Sequence, residues 1–502
     1  MGSRATADPP IPDFDSDPIP ANRSLEERLG LVGESEIYDS LWFTTLIQSW
    51  ESLVLILSTF WCILLARVVT QKLRLNGSPN LCYAVEFILV ILPCILLVTV
   101  AVDYSYHIGL VMFLVTLWFL RRTKALERAR IRSHFDLGGN RPMAFSVLRA
   151  LTHLITAICI LAIDFGSFYR PYRKSRQFGA KLMDTGIGLF VFTMAMVSRR
   201  TRHWSDLRRS VLYSALPLIL LGLARTVAIL MLGYGQDAHE YGQHLNAFFT
   251  LGFTKFLGAL VGLLARKDLH LLPLGFGLLL IHQFGLSVLG ISDYVMDEDV
   301  ERSNLFDANR EGLVSLPGFV ALYLVSIYVN RWMVATTLLS YSELVKKLRR
   351  LFYLVLILWS LFVISTYGIG ISRVTCNFGY VIWMLAIGST TLWASFGAID
   401  LVINSVMPWE ANQLEEQEKG LLTGDTPVKG REKSIVPFTI NQALNQNGLT
   451  FFLVANILTG GVNIFLEPED RSNFESVLIL LVYMFIATKM AHELLKRGVR
   501  IA

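Results

Sequence analysis

Between two apolar runs, residues Phe165 to Lys181 hold Arg170, Arg173, Lys174, Arg176 and Lys181 and no acidic residue. Asp164 stands immediately before this connector and Asp184 immediately after it. Cations gathered at the end of an apolar helix describe a rim facing an anionic ligand, such as a phosphodiester headgroup. The plainer alternative is interfacial snorkelling of long basic side chains. Two further connectors are dense in donors and acceptors: His239-Glu240-Tyr241-Gly242-Gln243-His244-Leu245-Asn246 and Leu305-Phe306-Asp307-Ala308-Asn309-Arg310-Glu311-Gly312. The two histidines superficially suggest zinc, but a helical two-histidine site needs His at i and i+4 with a third ligand, and Gly242 opposes a firm helix. No metal is expected. Other polar residues lie inside apolar runs: Arg225, Lys255, His282, Asp400, Asn456 and Asn463. A charge in hydrocarbon costs on the order of a few kcal/mol, so such groups face a partner or a protein-lined cavity. Arg225 and Lys255 read equally as helix–helix bonds or ligand contacts. His282, Asn456 and Asn463 read as packing residues, and Asp400 as the partner of a loop cation.

The elements that must position these residues are helices in a bilayer. Of the 502 residues, 53% are hydrophobic and 17% charged, against about 25% charged in soluble domains. The missing charge reflects long continuous apolar runs, each near the ~20 residues that cross a membrane as a helix. The expected architecture is all-α and polytopic, with about thirteen spans in one bundle. They fall at roughly 49–69, 80–102, 104–120, 145–164, 182–198, 211–233 and 246–265. The others fall at roughly 269–290, 313–335, 351–372, 378–405, 448–466 and 474–495. The third and fifth are short, and Pro93, Pro217 and Pro317 mark kinks. A membrane barrel would need alternating strands instead. No internal repeat stands out. Cys62, Cys82, Cys94, Cys159 and Cys376 are odd in number, which precludes a complete disulfide framework; they read as small buried hydrophobes or palmitoylation candidates.

Lysine and arginine set the orientation. Arg121, Arg122, Lys124, Arg128, Arg130, Arg132 and Arg141 follow span three; Arg199, Arg200, Arg202, Arg208 and Arg209 follow span five. Arg266 and Lys267 follow span seven, and Lys346, Lys347, Arg349 and Arg350 follow span nine. All lie after odd-numbered spans, on the side expected to be cytosolic. The C-terminus, with Lys496, Arg497 and Arg500, joins them, and the N-terminus faces the lumen. Residues 1–45 read as a disordered acidic lumenal tail carrying the sequon Asn22-Arg23-Ser24, with no signal peptide. Residues 46–502 form the transmembrane domain, with a cytosolic linker at about 407–434. The cationic Phe165–Lys181 connector breaks the rule, because it falls on the lumenal side.

In their order, these segments resemble the GPI inositol-acyltransferases, a family that includes fungal wall transfer proteins and animal phosphatidylinositol-glycan class W proteins. The resemblance is carried by Asp164-Phe165, Arg170, Lys174 and Met183-Asp184-Thr185-Gly186-Ile187-Gly188; by Glu240-Tyr241-Gly242 through Phe248; and by Ala308-Asn309-Arg310-Glu311-Gly312. Asn447-Gly448-Leu449 and Ala455-Asn456 with Thr459-Gly460 extend it to span twelve. There are departures. Phe165-Gly166 stands for the family's Phe-Pro, and Tyr169-Arg170-Pro171-Tyr172-Arg173-Lys174 for Pro-Arg-Arg-Phe-Ala-Lys. Leu245 and Ala247 replace Trp and Phe, so a divergent member is expected.

The resemblance implies transfer of a fatty acyl group, typically palmitoyl, from acyl-CoA to the inositol ring of glucosaminyl-phosphatidylinositol in the endoplasmic reticulum membrane. Acyl-CoA enters as co-substrate, with no other cofactor. Asp164 and Lys174 match the family's catalytic pair. Substrate contacts are expected from Arg170, Arg173, Arg176, Asp184, Glu240, His244, Asn246, Asn309, Arg310, Glu311 and Asn456. A hydroxyl is a poor nucleophile and needs a positioned base as it attacks a thioester, a role open to Asp164 at the membrane boundary. Lys174 would orient that base or stabilise the oxyanion. The competing class is a secondary transporter or flippase, which often carries repeated halves and broken mid-membrane helices. A membrane-bound O-acyltransferase with an intramembrane histidine fits less well, given the surroundings of His282.

Overall fold

The structure is a computed structural model describing residues 34–73, 75, 78–131, 135–136, 142–232, 237–297, 300–335, 338–403 and 439–500. Residues Met1–Thr44 and Thr45–Ala502 are separate compact units; within the first, residues 34–44 begin helix α1. The sequon at Asn22, most of the expected acidic tail and the linker at 407–434 lie outside the described residues.

The chain runs α1 (Glu34–Lys72), α2 (Pro79–Val98), α3 (Val102–Arg122), α4 (Ala125–Ile131), α5 (Met143–Ala162), α6 (Leu182–Met196) and α7 (Trp204–Met231). It continues through α8 (Ala238–Tyr241), α9 (Ala247–Gly262), α10 (Asp268–Val288) and α11 (Ile291–Met296). Then come α12 (Asp307–Met333), α13 (Tyr341–Gly368) and α14 (Phe378–Ile403), α15 (Ile440–Gln446), α16 (Gly448–Phe465) and α17 (Asn473–Lys496). Each of the thirteen expected spans is a helix. Eleven of the helices in the described residues are long and apolar enough to cross a membrane; α6 and α9 are shorter. Span three, expected to be short, is a helix of 21 residues, whereas span seven, expected to be full length, is α9 with 16. A shortened helix is tolerable where neighbouring helices rather than lipid receive its ends, and both α6 and α9 pack on α12. The first helix begins at Glu34, so residues 34–45 are helical rather than part of the tail.

The expected proline kinks take a specific form. Phe87–Ile91 and Val211–Ala215 are π-helical, and Pro93 and Pro217 each follow within two residues. Proline has no N–H for the i−4 carbonyl and crowds it, and a widened turn absorbs the mismatch. Pro317 instead sits at the start of a renewed α-helical stretch from Leu316.

Helices α1, α5, α12 and α14 form the interior. Trp383 is fully buried on α14 and donates from Nε1 to Ser49 Oγ on α1 at 2.7 Å. Helices α3, α7 and α16 turn most of their apolar surface outward, with Trp118, Leu220 and Ile457 exposed. Outward apolar faces on helices of this length are lipid-facing surface. Residues 135–136 and 338–339 make a two-residue antiparallel pair. Lys255 is buried and donates to Ser198 Oγ and, at 2.8 Å, to Tyr323 Oη, a helix–helix bond, one of the two roles left open for it. Asp400 accepts from the backbone N–H groups of Met143 and Ala144 at 3.1 and 3.0 Å, so it caps the start of α5. All five cysteines are free and buried.

Candidate active site

Connectors far apart in the chain are knitted together at one end of the bundle. Tyr169 N–H donates to Val98 O at 3.2 Å, Gly179 N–H to Ile371 O at 2.9 Å, and Gln243 N–H to Ala308 O at 2.8 Å. The α5–α6 connector is pinned by Asp184, which is fully buried. Its carboxylate accepts from Ser175 Oγ at 2.7 Å, from Ser175 N–H and from Arg373 Nε at 3.0 Å. Tyr380 Oη donates to the Asp184 carbonyl at 2.7 Å. A buried carboxylate needs such pairing to remain charged. The consequence is positional: Ser175 is fixed, and Lys174 beside it with little freedom.

The two donor-rich connectors fold onto each other. Gly242, at φ +98°, ends the four-residue α8, and a Cβ there would lie 2.5 Å from Asn309 Cα. A Cβ on Gly312 would lie 2.4 Å from Tyr241 O. Each glycine is thus required by the other segment's backbone. Asn309 Oδ1 accepts from the N–H groups of His244 and Leu245 at 2.8 and 3.2 Å, and its Nδ2 lies 3.2 Å from His244 Nδ1. Asn246 caps α9, accepting from Phe248 N–H at 3.0 Å, and donates to Gly222 O at 2.9 Å. Glu311 is buried against Arg302, at 2.6 Å, and Arg310. Arg310 donates to Val300 O and Asp297 O and lies 5.4 Å over the Tyr294 ring.

Asp164 and Lys174 stand at the margin of this framework, both half-buried. Asp164 closes α5, where the helix dipole is negative, and its Oδ2 accepts from Asn463 Nδ2 at 2.9 Å. Burial pushes its carboxyl above the ordinary range; Asn463 pulls it back, Glu469 raises it further, and Lys174 and Arg173 lower it. Lys174 donates to Glu240 Oε1 as an ion pair. Burial alone would push Glu240 up, but Lys174 and Arg373 outweigh it and hold the carboxyl below its usual value. Arg373 also lies 5.7 Å over the Tyr241 ring. A base with raised proton affinity and a fixed ammonium within electrostatic reach of it can deprotonate a hydroxyl and stabilise an oxyanion. Nearby, a small opening is lined by Arg176, Gln177, His239, Met296, Glu311 and Val374. A second small cavity is lined by Ile63, Ala66, Glu86, Val90, Leu154 and Ile440 and shares none of these residues. Among the described residues, no three His, Cys, Asp or Glu gather as metal ligands.

The GWT1 family model matches residues 45–494. The chain belongs to the GWT1 family. A GPI-anchored wall transfer protein 1 of Schizosaccharomyces pombe is 32% identical over 360 residues, 70% of this chain and 72% of the relative. The Yarrowia lipolytica protein of the same name is 29% identical over 414 residues, 76% and 81% of the two chains. The Homo sapiens glucosaminyl-phosphatidylinositol-acyltransferase PIGW is 27% identical over 432 residues, 80% and 85%.

In this GWT1 member the residues expected at the site divide. Asp164, Lys174, Asp184, Glu240, His244, Asn246, Asn309, Arg310 and Glu311 gather at one end, and Asp184, Asn246, Asn309, Arg310 and Glu311 are engaged by protein groups. Arg170 and Arg176 are exposed there and Arg173 is half-buried. Asn456 lies lower on α16 and donates to Phe452 O of its own helix at 2.7 Å; the cluster does not include it. Asn463, read from sequence as packing, is the residue that touches Asp164. Arg373 and Arg302 were not singled out from the sequence. Arg373 had a signal of its own, a lone cation in the short acid-free stretch between spans ten and eleven, on the side expected to be lumenal, where cations are disfavoured.

Proposed function

We propose that the protein is a membrane acyltransferase of GPI-anchor biosynthesis, moving a fatty acyl group, typically palmitoyl, from acyl-CoA to the inositol ring of glucosaminyl-phosphatidylinositol. The observation that carries this reading is the half-buried Asp164 with raised proton affinity, set near Lys174 in a cation-rich connector of a GWT1-family bundle. Asp164 takes the proton of an inositol hydroxyl as the oxygen attacks the thioester carbonyl carbon. Lys174, held by Glu240, stabilises the oxyanion of the tetrahedral intermediate. That intermediate collapses with cleavage of the C–S bond, and the proton on Asp164 passes to the departing thiolate. Arg170, Arg173 and Arg176 hold the lipid phosphate, and apolar helix faces receive the acyl chains. The site faces the lumen of the endoplasmic reticulum, with the N-terminus lumenal and the C-terminus cytosolic, an orientation supported by the lysine and arginine bias.

The test is incubation of membranes bearing the protein with radiolabelled palmitoyl-CoA and glucosaminyl-phosphatidylinositol. Label in an inositol-acylated lipid is the expected product. Label-free lipid from folded, correctly inserted protein would overturn the assignment.

A further inference from the structure

We propose that Asn463 is a positioning residue for the base, fixing one oxygen of Asp164 so that the other is presented to the inositol hydroxyl. This rests on the reading of Asp164 as base. Asn463 lies in the last turn of α16 and reaches across to the end of α5, joining residues 299 positions apart with a 2.9 Å bond to Oδ2. An amide suits this role. It supplies a directed N–H without a charge, so it orients a carboxylate while leaving it basic enough to accept a proton. A lysine or arginine in the same place would suppress that basicity.

The surroundings make the choice of a neutral donor consequential. Charged groups acting on Asp164 are Lys174 and Arg173 from its own connector and Glu469 from the α16–α17 connector. The two signs oppose one another, and Asn463 is the directly bonded contributor. The turn carrying Asn463 is otherwise peripheral: Ile464, Phe465 and Leu466 are exposed and Val462 half-buried. Packing alone does not call for a side-chain amide at such a position.

The experiment measures acyl transfer against pH in purified, reconstituted Asn463→Ala and Asn463→Asp proteins, with Asp164→Asn alongside. Loss of the amide donor should lower kcat about tenfold and move the acidic limb of the pH profile upward by about one unit in Asn463→Ala. The shift should be larger in Asn463→Asp, which adds a like charge. KM for both substrates should stay within about twofold. Asn463→Asp preserves size, so it carries the test if Asn463→Ala is unstable. A uniform rate loss with an unmoved limb in the variants, while Asp164→Asn is inactive, would overturn the positioning role alone. A near-wild-type Asp164→Asn would overturn the base assignment and the positioning role with it.

Discussion

The segments Glu240–Asn246 and Ala308–Gly312 share one end of the bundle with the connector from Asp164 to Lys174, and an ion pair joins the two regions, yet their polar groups are used differently. In the first region Asn246, Asn309, Arg310 and Glu311 are buried and bonded to backbone groups or to one another. In the second, Asp164 and Lys174 are half-buried and, among the described residues, each makes one side-chain hydrogen bond, to Asn463 or Glu240. Leaving a buried polar group unsatisfied costs roughly 1–3 kcal/mol, so the first arrangement holds shape. The second retains capacity toward a ligand. Equal density of polar residues in sequence therefore marks two kinds of structure, a framework and the edge proposed to react.

The sharpest way to break this comparison is at the framework glycines. Gly312→Ala places a methyl 2.4 Å from Tyr241 O, and Gly242→Ala adds a positive φ to a 2.5 Å clash with Asn309. Each should destabilise by roughly 3 kcal/mol or more and leave little folded protein in a detergent thermal-denaturation assay. Gly460→Ala, whose Cβ meets nothing within 4 Å, is the control and should be near neutral. Equal stability of all three would dissolve the distinction between framework and edge.

At the edge, activity should fall with the fold intact. Asp164→Asn keeps shape and removes the base, so turnover should drop at least ~10²-fold, and Lys174→Met should act similarly. If the two groups work as one unit, the double variant is little worse than either single one. Fully multiplicative losses in single-turnover assays would separate their roles.

Much of this division was only half legible in the sequence. Continuous apolar runs located every span helix, because lipid demands backbone pairing within each segment. They did not reveal which spans would shorten, since that depends on whether neighbours or lipid receive the helix ends. The alternation of spans and loops put Asp164, Lys174, Glu240 and Asn309 on one side, and the family resemblance grouped them as a site. It pointed to Asn456 and left Asn463, on the same face of the same helix, as a packing residue. Seven residues divide them, about two turns, and both look like intramembrane amides. Only the meeting of α16 with α5 gives one of them a carboxylate. Arg373 was hidden for the same reason: its partner Asp184 lies 189 residues away.

The ion pair joining the two regions yields a pH-dependent effect of intermediate size. Lys174 and Arg373 hold Glu240 below its ordinary value of 4.5 despite burial. Its folded-state carboxyl is depressed, so its contribution to stability is present above the ordinary pKa and is lost as pH falls through the folded value. Glu240→Gln should therefore flatten the acid side of the stability–pH curve while lowering turnover about tenfold through a loosened Lys174. An unchanged acid limb in thermal unfolding would show that the pair is not a stability linkage between framework and edge.

The smallest effects belong to the exposed cations, where the comparison can be refined within the reactive connector itself. Arg170 and Arg176 are exposed and Arg173 half-buried, so solvent screens each of them and no single one dominates phosphate binding. Changing them singly to Gln should raise KM for the phospholipid a few-fold, more for Arg173 than for the other two, with kcat nearly constant. KM for acyl-CoA should move less, because its phosphates belong to a different substrate in a different pose. Raising ionic strength should narrow the gap between wild type and the Arg170 and Arg176 variants first, as screening acts most strongly on exposed charge. Equal rises in KM for both substrates would assign these cations to a general electrostatic field over the rim. A change in the phospholipid term alone would assign them to the phosphate, and set Lys174 apart from the three arginines as the cation beside the reacting atoms.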